Sequence, residues 1–341
     1  MRIATYNVEW FDNLFDDTGK LIEDHTWSGR QDVRRDEQIA ALGHVFTALD
    51  ADAVMVIEAP DVHRGRDGVA ALENFAARFD LRARKALIGF QNDTQQEIML
   101  LYDPDRLVVY HDPQGDETGK KGDRHAPRFD SVFRIDLDVD ADPDLIRWSK
   151  PPLEVAARTT AGREFRLIGV HAKSKAPHGA RSREEIMRVS IENRRKQLAQ
   201  CIWLRQRVEQ HLEAGEDLIV LGDFNDGPGL DEYEKLFGRS SIEIVLGENG
   251  ATTLFDPHAK MALGQRVGAM PTTARFRLPH DGRYLSALLD YVMVSPGLER
   301  IGPEWRIWHP FDDCRCYEDP ALRESLLIAS DHFPVSIDID L

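Results

Sequence analysis

Short apolar stretches recur along the chain, separated by longer segments with helical spacing. Residues 2–8 alternate around Ile3, Thr5 and Asn7, the period of two expected of a strand. In 34–49 the apolar positions Ile39, Leu42, Phe46 and Leu49 fall on one helical stripe, and 70–79 reads as another helix. Residues 53–57 are a short apolar run with polar flanks, which fits a buried strand. Residues 97–101 and 106–110 flank Asp103-Pro104 and read as strands around a turn. Further strands are predicted at 153–157, 165–170, 218–221, 289–294 and 335–339. The basic, amphipathic stretch 181–213 is the clearest helix. Two polar breaks interrupt the series: 111–128, rich in Gly, Asp, Lys and Pro, reads as a mobile loop, and 140–152 as a second irregular stretch.

There is no internal repeat, and neither break is long enough for a linker. Interspersed strands and helices therefore predict one α/β domain over 1–341, two sheets with helices outside. Composition adds exclusions. The chain is 42% hydrophobic and 30% charged, and no stretch approaches the roughly 20 apolar residues of a membrane span. It opens directly on a strand without a basic start and apolar run, so a cytoplasmic protein is the expectation. Three cysteines, Cys201, Cys314 and Cys316, are too few and too unevenly placed for a disulfide scaffold or a zinc site. A net charge of −16 argues against a tight polyanion-binding module unless positive charge is concentrated locally.

Six local strings carry candidate chemistry. Leu221-Gly222-Asp223-Phe224-Asn225-Asp226 follows an apolar strand, and the spacing of two puts Asp223 and Asn225 on one face of an extended chain. Such a pair can hold a phosphate oxygen, a metal or a water; the plainer reading is an Asx-rich turn. Ser330-Asp331-His332-Phe333-Pro334 offers a histidine beside a carboxylate, suited to general-base work near neutral pH. Asp290 heads the apolar strand 289–294, where burial is costly unless the acid is paired. Pairing with His332 would satisfy both. His171 and Lys173 leave the strand 165–170 on one face and could stabilise phosphate charge. Glu58 ends an apolar strand, a position suited to a hard divalent cation, although a solvated strand-end acid would look the same. Asn7 and Glu9 share a face of the first strand.

Taken in order, TYNVEW, VMVIEAP, VHAKSK, LGDFND, LLDYVMVS and SDHFPV resemble the endonuclease/exonuclease/phosphatase superfamily, with its DNase-I-like fold. The motifs run from the first strand to the last. The resemblance implies a four-layered α/β sandwich, two packed and mostly antiparallel mixed sheets flanked by helices. It implies a phosphodiester hydrolase dependent on Mg²⁺, with Mn²⁺ as a substitute. Glu58 would be the principal metal ligand, with Asn7 beside it and Asp331 contributing to a second position. Asp223 and Asn225 would position the attacking water and a phosphate oxygen. His332 would activate the water, with Asp290 fixing its tautomer, and His171 would contact the phosphate or assist the leaving group.

Substrate is less constrained. Lys173, Lys175, Arg181, Arg183, Arg188, Arg194, Arg195 and Lys196 form one basic cluster, and Arg30, Arg34 and Arg35 another; either could grip phosphates flanking the scissile one. Lys120, Lys121, Arg124, His125 and Arg128 add charge to the first polar break. Interspersed Glu184, Glu185 and Glu192 fit a merely solvated helix face equally well. A nuclease acting on DNA or RNA is the leading expectation. The rival is hydrolysis of a lipid headgroup, inositol phosphate or small nucleotide. An inactive binding or scaffold relative is the third reading, opposed by the complete set of acids and histidines.

Overall fold

The computed structural model describes residues 1–137, 143–177, 179–180, 182–230, 234–248, 250, 252–264, 269–277 and 282–341. In chain order its strands are β1 (Arg2–Asn7), β2 (Ala53–Ala59), β3 (Lys85–Ile88), β4 (Glu97–Tyr102), β5 (Leu107–His111), β6 (Phe133–Ile135), β7 (Asp144–Ile146) and β8 (Leu153–Thr159). They continue with β9 (Glu164–His171), β10 (Leu218–Asp223), β11 (Ala274–Arg277), β12 (Tyr284–Ala287), β13 (Asp290–Val294), β14 (Glu304–Ile307) and β15 (Val335–Asp338). One sheet has the order β14-β15-β1-β2-β4-β3, the other β13-β10-β9-β8-β5. Two pairings in these sheets are parallel, β1 with β2 and β9 with β10. Parallel neighbours need a crossover, and helices α1 (Arg35–Leu49) and α3 (Arg183–Glu213) provide it. A shorter helix, α2 (Gly68–Arg78), follows β2.

Alternation along the central strands builds the layers. Ile3, Met55, Ile57, Leu167, Ile219, Leu221, Val292 and Val294 form a core between the two sheets. The intervening positions face outward: Ala4, Tyr6, Val54 and Val56 pack on Leu42, Val45 and Phe46 of α1 and on the Pro320–Ala329 helix. Ile168, Val170 and Val220 pack on Trp203, Leu204 and Val208 of α3. Strands buried on both faces read as continuous apolar runs, which is why they were legible. The result is the expected helix–sheet–sheet–helix sandwich.

Close approach of strands is bought with glycine. Gly222, next to Asp223, has φ +140°, and an added Cβ would lie 2.0 Å from the Val170 carbonyl oxygen. Gly222→Ala is therefore expected to destabilise the protein by at least about 2 kcal/mol, seen as a lower denaturant midpoint. An unchanged midpoint would show that β9 and β10 can part without cost.

Several features differ from the sequence reading. The break 140–152 contains β7, which pairs with β6; residues 140–142 lie outside the described residues. Strands β3, β6, β7, β11, β12 and β14, of three or four residues each, are too short to show a period. The irregular stretch 112–128 is tied to α3: Arg207 donates to the carbonyls of Gln114, Ala126 and Pro127, and Trp203 Nε1 donates to that of Pro127 at 2.8 Å. Arg181 lies outside the described residues, and α3 begins at Arg183 behind a Ser182 cap whose side chain accepts from Glu185 N at 3.1 Å. Among the described residues no helix is long and apolar enough to cross a membrane.

Candidate active site

The period of two that buries Ile3, Leu167, Ile219 and Val294 between the sheets places a polar residue at one end of each strand on that same face. In β1 the inward positions end in Asn7, in β9 in His171 and in β10 in Asp223, while β13 begins with Asp290. Strand register then sets three of them side by side, since Asp223 pairs with His171 on one flank and with Asp290 on the other. Asn7 crosses from the opposite sheet, donating Nδ2 to Asp223 Oδ2 at 3.1 Å. One end of the sandwich is thus a polar cleft of about 750 Å³, lined also by Glu9, Glu58, Lys150, Lys173, Asn225, Asp331 and His332.

His332 lies in the segment leading to β15. Its backbone N donates to Ser330 Oγ at 3.0 Å, and Ser330 Oγ donates to the Asn7 carbonyl at 2.8 Å, fixing this segment to β1. The expected pairing forms: His332 Nδ1 and Asp290 Oδ2 are 2.7 Å apart. Asp290 is held in turn by Thr273, whose Oγ1 donates to Asp290 Oδ2 at 2.8 Å and accepts from Asp290 N at 2.9 Å. Burial works against an imidazolium here, but Asp290 and then Asp223 outweigh it and push the His332 pKa well above the ordinary histidine range. Phe276 lies edge-on to the His332 ring at 5.5 Å, and with Leu230, Leu285 and Leu289 gives the cleft an apolar wall.

Asp223 is fully buried, and burial pushes its carboxyl up to about 7, against the attraction of His332. Asn225 does not share a face of extended chain with it, because the backbone turns into the left-handed region at Asn225, φ +50°. The two converge through hydrogen bonds instead: Asn225 N and Nδ2 donate back to the Asp223 carboxylate at 2.8 and 3.1 Å. Glu9 and Glu58 are also left-handed, at φ +48° and +62°. Glu58 sits at an irregularity in the β2–β4 register between Ile57 and Ala59 and accepts from Trp10 N at 2.9 Å. Strained non-glycine residues gather here as they do at sites whose surroundings over-determine them. Glu9 leaves the face of Asn7 expected from a strand. Its Oε2 pairs with Arg30 and accepts from Asp331 N at 2.9 Å. Burial first, and Asp331 second, push the Glu9 carboxyl up to about 7.

His171 is buried beside Asp223, Nε2 to Oδ2 3.6 Å, and burial, with Lys150 and His332 nearby, holds its pKa well below the ordinary value. It is therefore neutral at neutral pH. Lys150 Nζ lies 3.2 Å from the same Nε2. No motif marks Lys150 or Thr273; each comes to the site from a stretch without distinctive spacing. Several members of the basic clusters are paired within the fold. Arg194 is buried near Asp226, Arg195 pairs with Asp144 at 2.8 Å, Arg35 with Asp24 at 3.3 Å, and Lys175 with Asp226. Arg30, expected to grip phosphate, is held by Glu9 and by the Leu327 carbonyl at 2.7 Å. Of both clusters, Lys173 and Lys175 line the cleft.

The donor set fits a hard divalent cation. Glu58, Asp331, Asp223 and the amide oxygens of Asn7 and Asn225 are oxygen ligands, the kind that suits Mg²⁺ or Mn²⁺. Asn7 Oδ1 accepts from Glu9 N at 3.1 Å and keeps a second lone pair. Among the described residues, the tightest group of possible ligand atoms is a different one, Asp223, Asp290 and His332, within 4.8 Å of one another. A cation between Asp290 and His332 would have to break their hydrogen bond and displace a proton held there firmly. That trio is better suited to handling a proton, and the Glu58 side of the cleft to a metal.

Comparison with known proteins bears on the family and the fold. The model of the Endonuclease/Exonuclease/phosphatase family matches residues 4–332. An AP endonuclease from Archaeoglobus fulgidus is similar in structure, with a TM-score of 0.51 at 11% identity, over 100% of both chains. A truncated TDP2 from Caenorhabditis elegans gives 0.50 at 13% identity, over 98% of this chain and 96% of that one. An endonuclease/exonuclease/phosphatase from Bacteroides vulgatus gives 0.50 at 13% identity, over 99% and 98%. At such identities the likeness shows the fold alone. A search of curated protein sequences gave no match. With a family model spanning nearly its full length, the chain belongs to the endonuclease/exonuclease/phosphatase family, whose members are phosphoester hydrolases that generally use divalent metals.

Proposed function

We propose that the chain is a single-domain, Mg²⁺-dependent phosphodiesterase whose substrate is DNA or RNA. The observation that supports it most directly is the 2.7 Å contact between His332 and Asp290 beside Asp223 at the floor of an oxygen-lined cleft. In this reading Glu58 holds the metal, with Asn7 beside it and Asp331 at a second position. A bound divalent ion would neutralise phosphate charge that otherwise repels the nucleophile. With the charge of a bound divalent ion opposing the carboxylates that favour the imidazolium, His332 would be neutral and would take a proton from water through Nε2, while Asp290 holds Nδ1–H and stabilises the imidazolium that forms. Asp223 and Asn225 orient that water and a phosphate oxygen, and Lys173 contacts substrate. His171 acts as a neutral group near the phosphate.

Purified protein incubated with plasmid DNA, single-stranded DNA, RNA and bis-p-nitrophenyl phosphate, with Mg²⁺, Mn²⁺ or EDTA, tests the proposal. Cleavage of polynucleotide with either metal, abolished by EDTA, is the expected result. A second reading, a small or lipid-linked phosphoester, is favoured by one observation: Arg30, Arg35, Arg194 and Arg195, expected to grip a polyanion, are engaged by carboxylates of the fold. Hydrolysis of the small diester alone would select it. Silence on all of these and on phosphomonoesters would leave an inactive relative.

A further inference from the structure

Lys150 stands in the cleft without belonging to any of the six motifs. Its segment is fixed from several directions. Trp148 is buried against Phe129 and Trp203, with ring centroids 6.0 and 6.5 Å away. The Arg147 carbonyl accepts from Gln200 Nε2 at 3.3 Å, and the same Gln200 offers Oε1 to Lys173 N at 3.0 Å, so one side chain of α3 braces both lysine-bearing segments. Pro151 and Pro152 follow, restricting the backbone at and after Lys150. A rigid segment thus carries a residue whose side chain is among the most costly to order and whose ammonium is strongly hydrated.

That ammonium is largely buried, and burial lowers its pKa, with Lys173 adding to the effect and Glu58 and Asp223 opposing it. An ammonium has three N–H donors. Among the described residues its one polar partner within hydrogen-bond reach is His171 Nε2, at 3.2 Å. An ammonium can only donate, so at 3.2 Å His171 Nε2 is the acceptor of this bond and is not available to donate to a phosphate. Lys150 is left beside Asp223 and Glu58, between the water-orienting and metal-holding sides of the cleft.

Resting on the phosphoesterase reading, we propose that Lys150 is a catalytic residue whose ammonium donates to a non-bridging oxygen of the scissile phosphate, and that His171 is the positioning residue that holds it. The phosphate contact expected of His171 thereby passes to Lys150. No bond is made or broken by Lys150; it binds charge that is fixed on the phosphate and grows in the transition state.

The test uses the full chain with Mg²⁺, comparing wild type with Lys150→Met, Lys150→Gln and Lys150→Arg. The readouts are kcat and KM on whichever phosphoester the wild type cleaves, inorganic phosphate binding by calorimetry, Mn²⁺ affinity by electron paramagnetic resonance, and thermal melting. Loss of a charge-assisted hydrogen bond to phosphate is expected to weaken phosphate binding and lower kcat/KM by roughly 10- to 150-fold each in the Met and Gln variants. Mn²⁺ affinity should stay within a few-fold, and Arg, which keeps the charge, should recover part of the loss. A folded Met or Gln variant with phosphate affinity and kcat/KM within twofold of wild type would overturn the role of Lys150 and leave the phosphoesterase reading standing. Should Met and Gln both fail to fold, the Arg variant decides: phosphate binding unchanged or wholly lost in a folded protein, with no intermediate value, overturns the proposal. A wild type that neither cleaves any phosphoester nor binds phosphate would remove the reading on which it rests.

Discussion

Replacing His332 with alanine is expected to lower kcat by roughly 100- to 10,000-fold, the range supplied by a well-placed general base, without unfolding the protein. The ring bonds Asp290, lies within 4.8 Å of Asp223 and packs against Phe276, yet the backbone that carries it is held independently, through Ser330 to β1 and through Phe333 N to the Thr273 carbonyl at 2.6 Å. Asp290 keeps its bond from Thr273 when the imidazole is gone. The measurement is steady-state kinetics on the substrate found for wild type, paired with a thermal melt. Near-normal turnover in a folded variant would sink the assignment of His332 as the base. An unfolded variant would show that the His332–Asp290 pair holds the cleft together.

Asp223→Ala should separate activity from stability more sharply. The carboxyl accepts from Asn7, from both nitrogens of Asn225, and feels His332, so its loss disorders the groups that would orient water and phosphate. A drop in kcat/KM of roughly 100- to 1,000-fold is expected, as for removal of one preorganised polar group at a reacting centre. Stability should move little or even rise. A carboxyl pushed up to about 7 by burial is one whose charge the fold disfavours, and such groups are kept for function at a cost in stability. Melting temperature and kinetics of the same preparation give the answer; a large fall in melting temperature would mean that the Asn7–Asp223 bridge is needed to join the sheets.

How far the sequence could reach is clear from particular residues. Strands such as β1, β9, β10 and β13 announce themselves because both faces are buried, and a polar residue at the end of an apolar run marks the rim where Asn7, His171, Asp223 and Asp290 stand. Pairing of His332 with Asp290 followed from the need of a buried acid for a partner, and the two do meet. Glu58 and Asn225 were placed by type but not by backbone, since a register irregularity and a left-handed residue leave no periodic trace. The basic clusters left two readings open for a different reason. Arg194 and Asp226, Arg195 and Asp144, Arg30 and Glu9 become partners only through tertiary packing, so charge counted along the chain overstates charge offered to a ligand. Lys150 and Thr273 were invisible on the same ground: each is an ordinary residue brought to the site by its segment's path.

The hydrogen bond from Asn7 to Asp223 joins residues 216 positions apart, and that from Ser330 to Asn7 spans 323. Loop closures of this length come late in folding, after local helices and hairpins have formed. Helical content can therefore recover while the cleft is still open, and returning turnover would report the docking of one sheet on the other. Activity on a substrate, once one is found, is expected to return later than helical content as the refolding chain docks its two sheets.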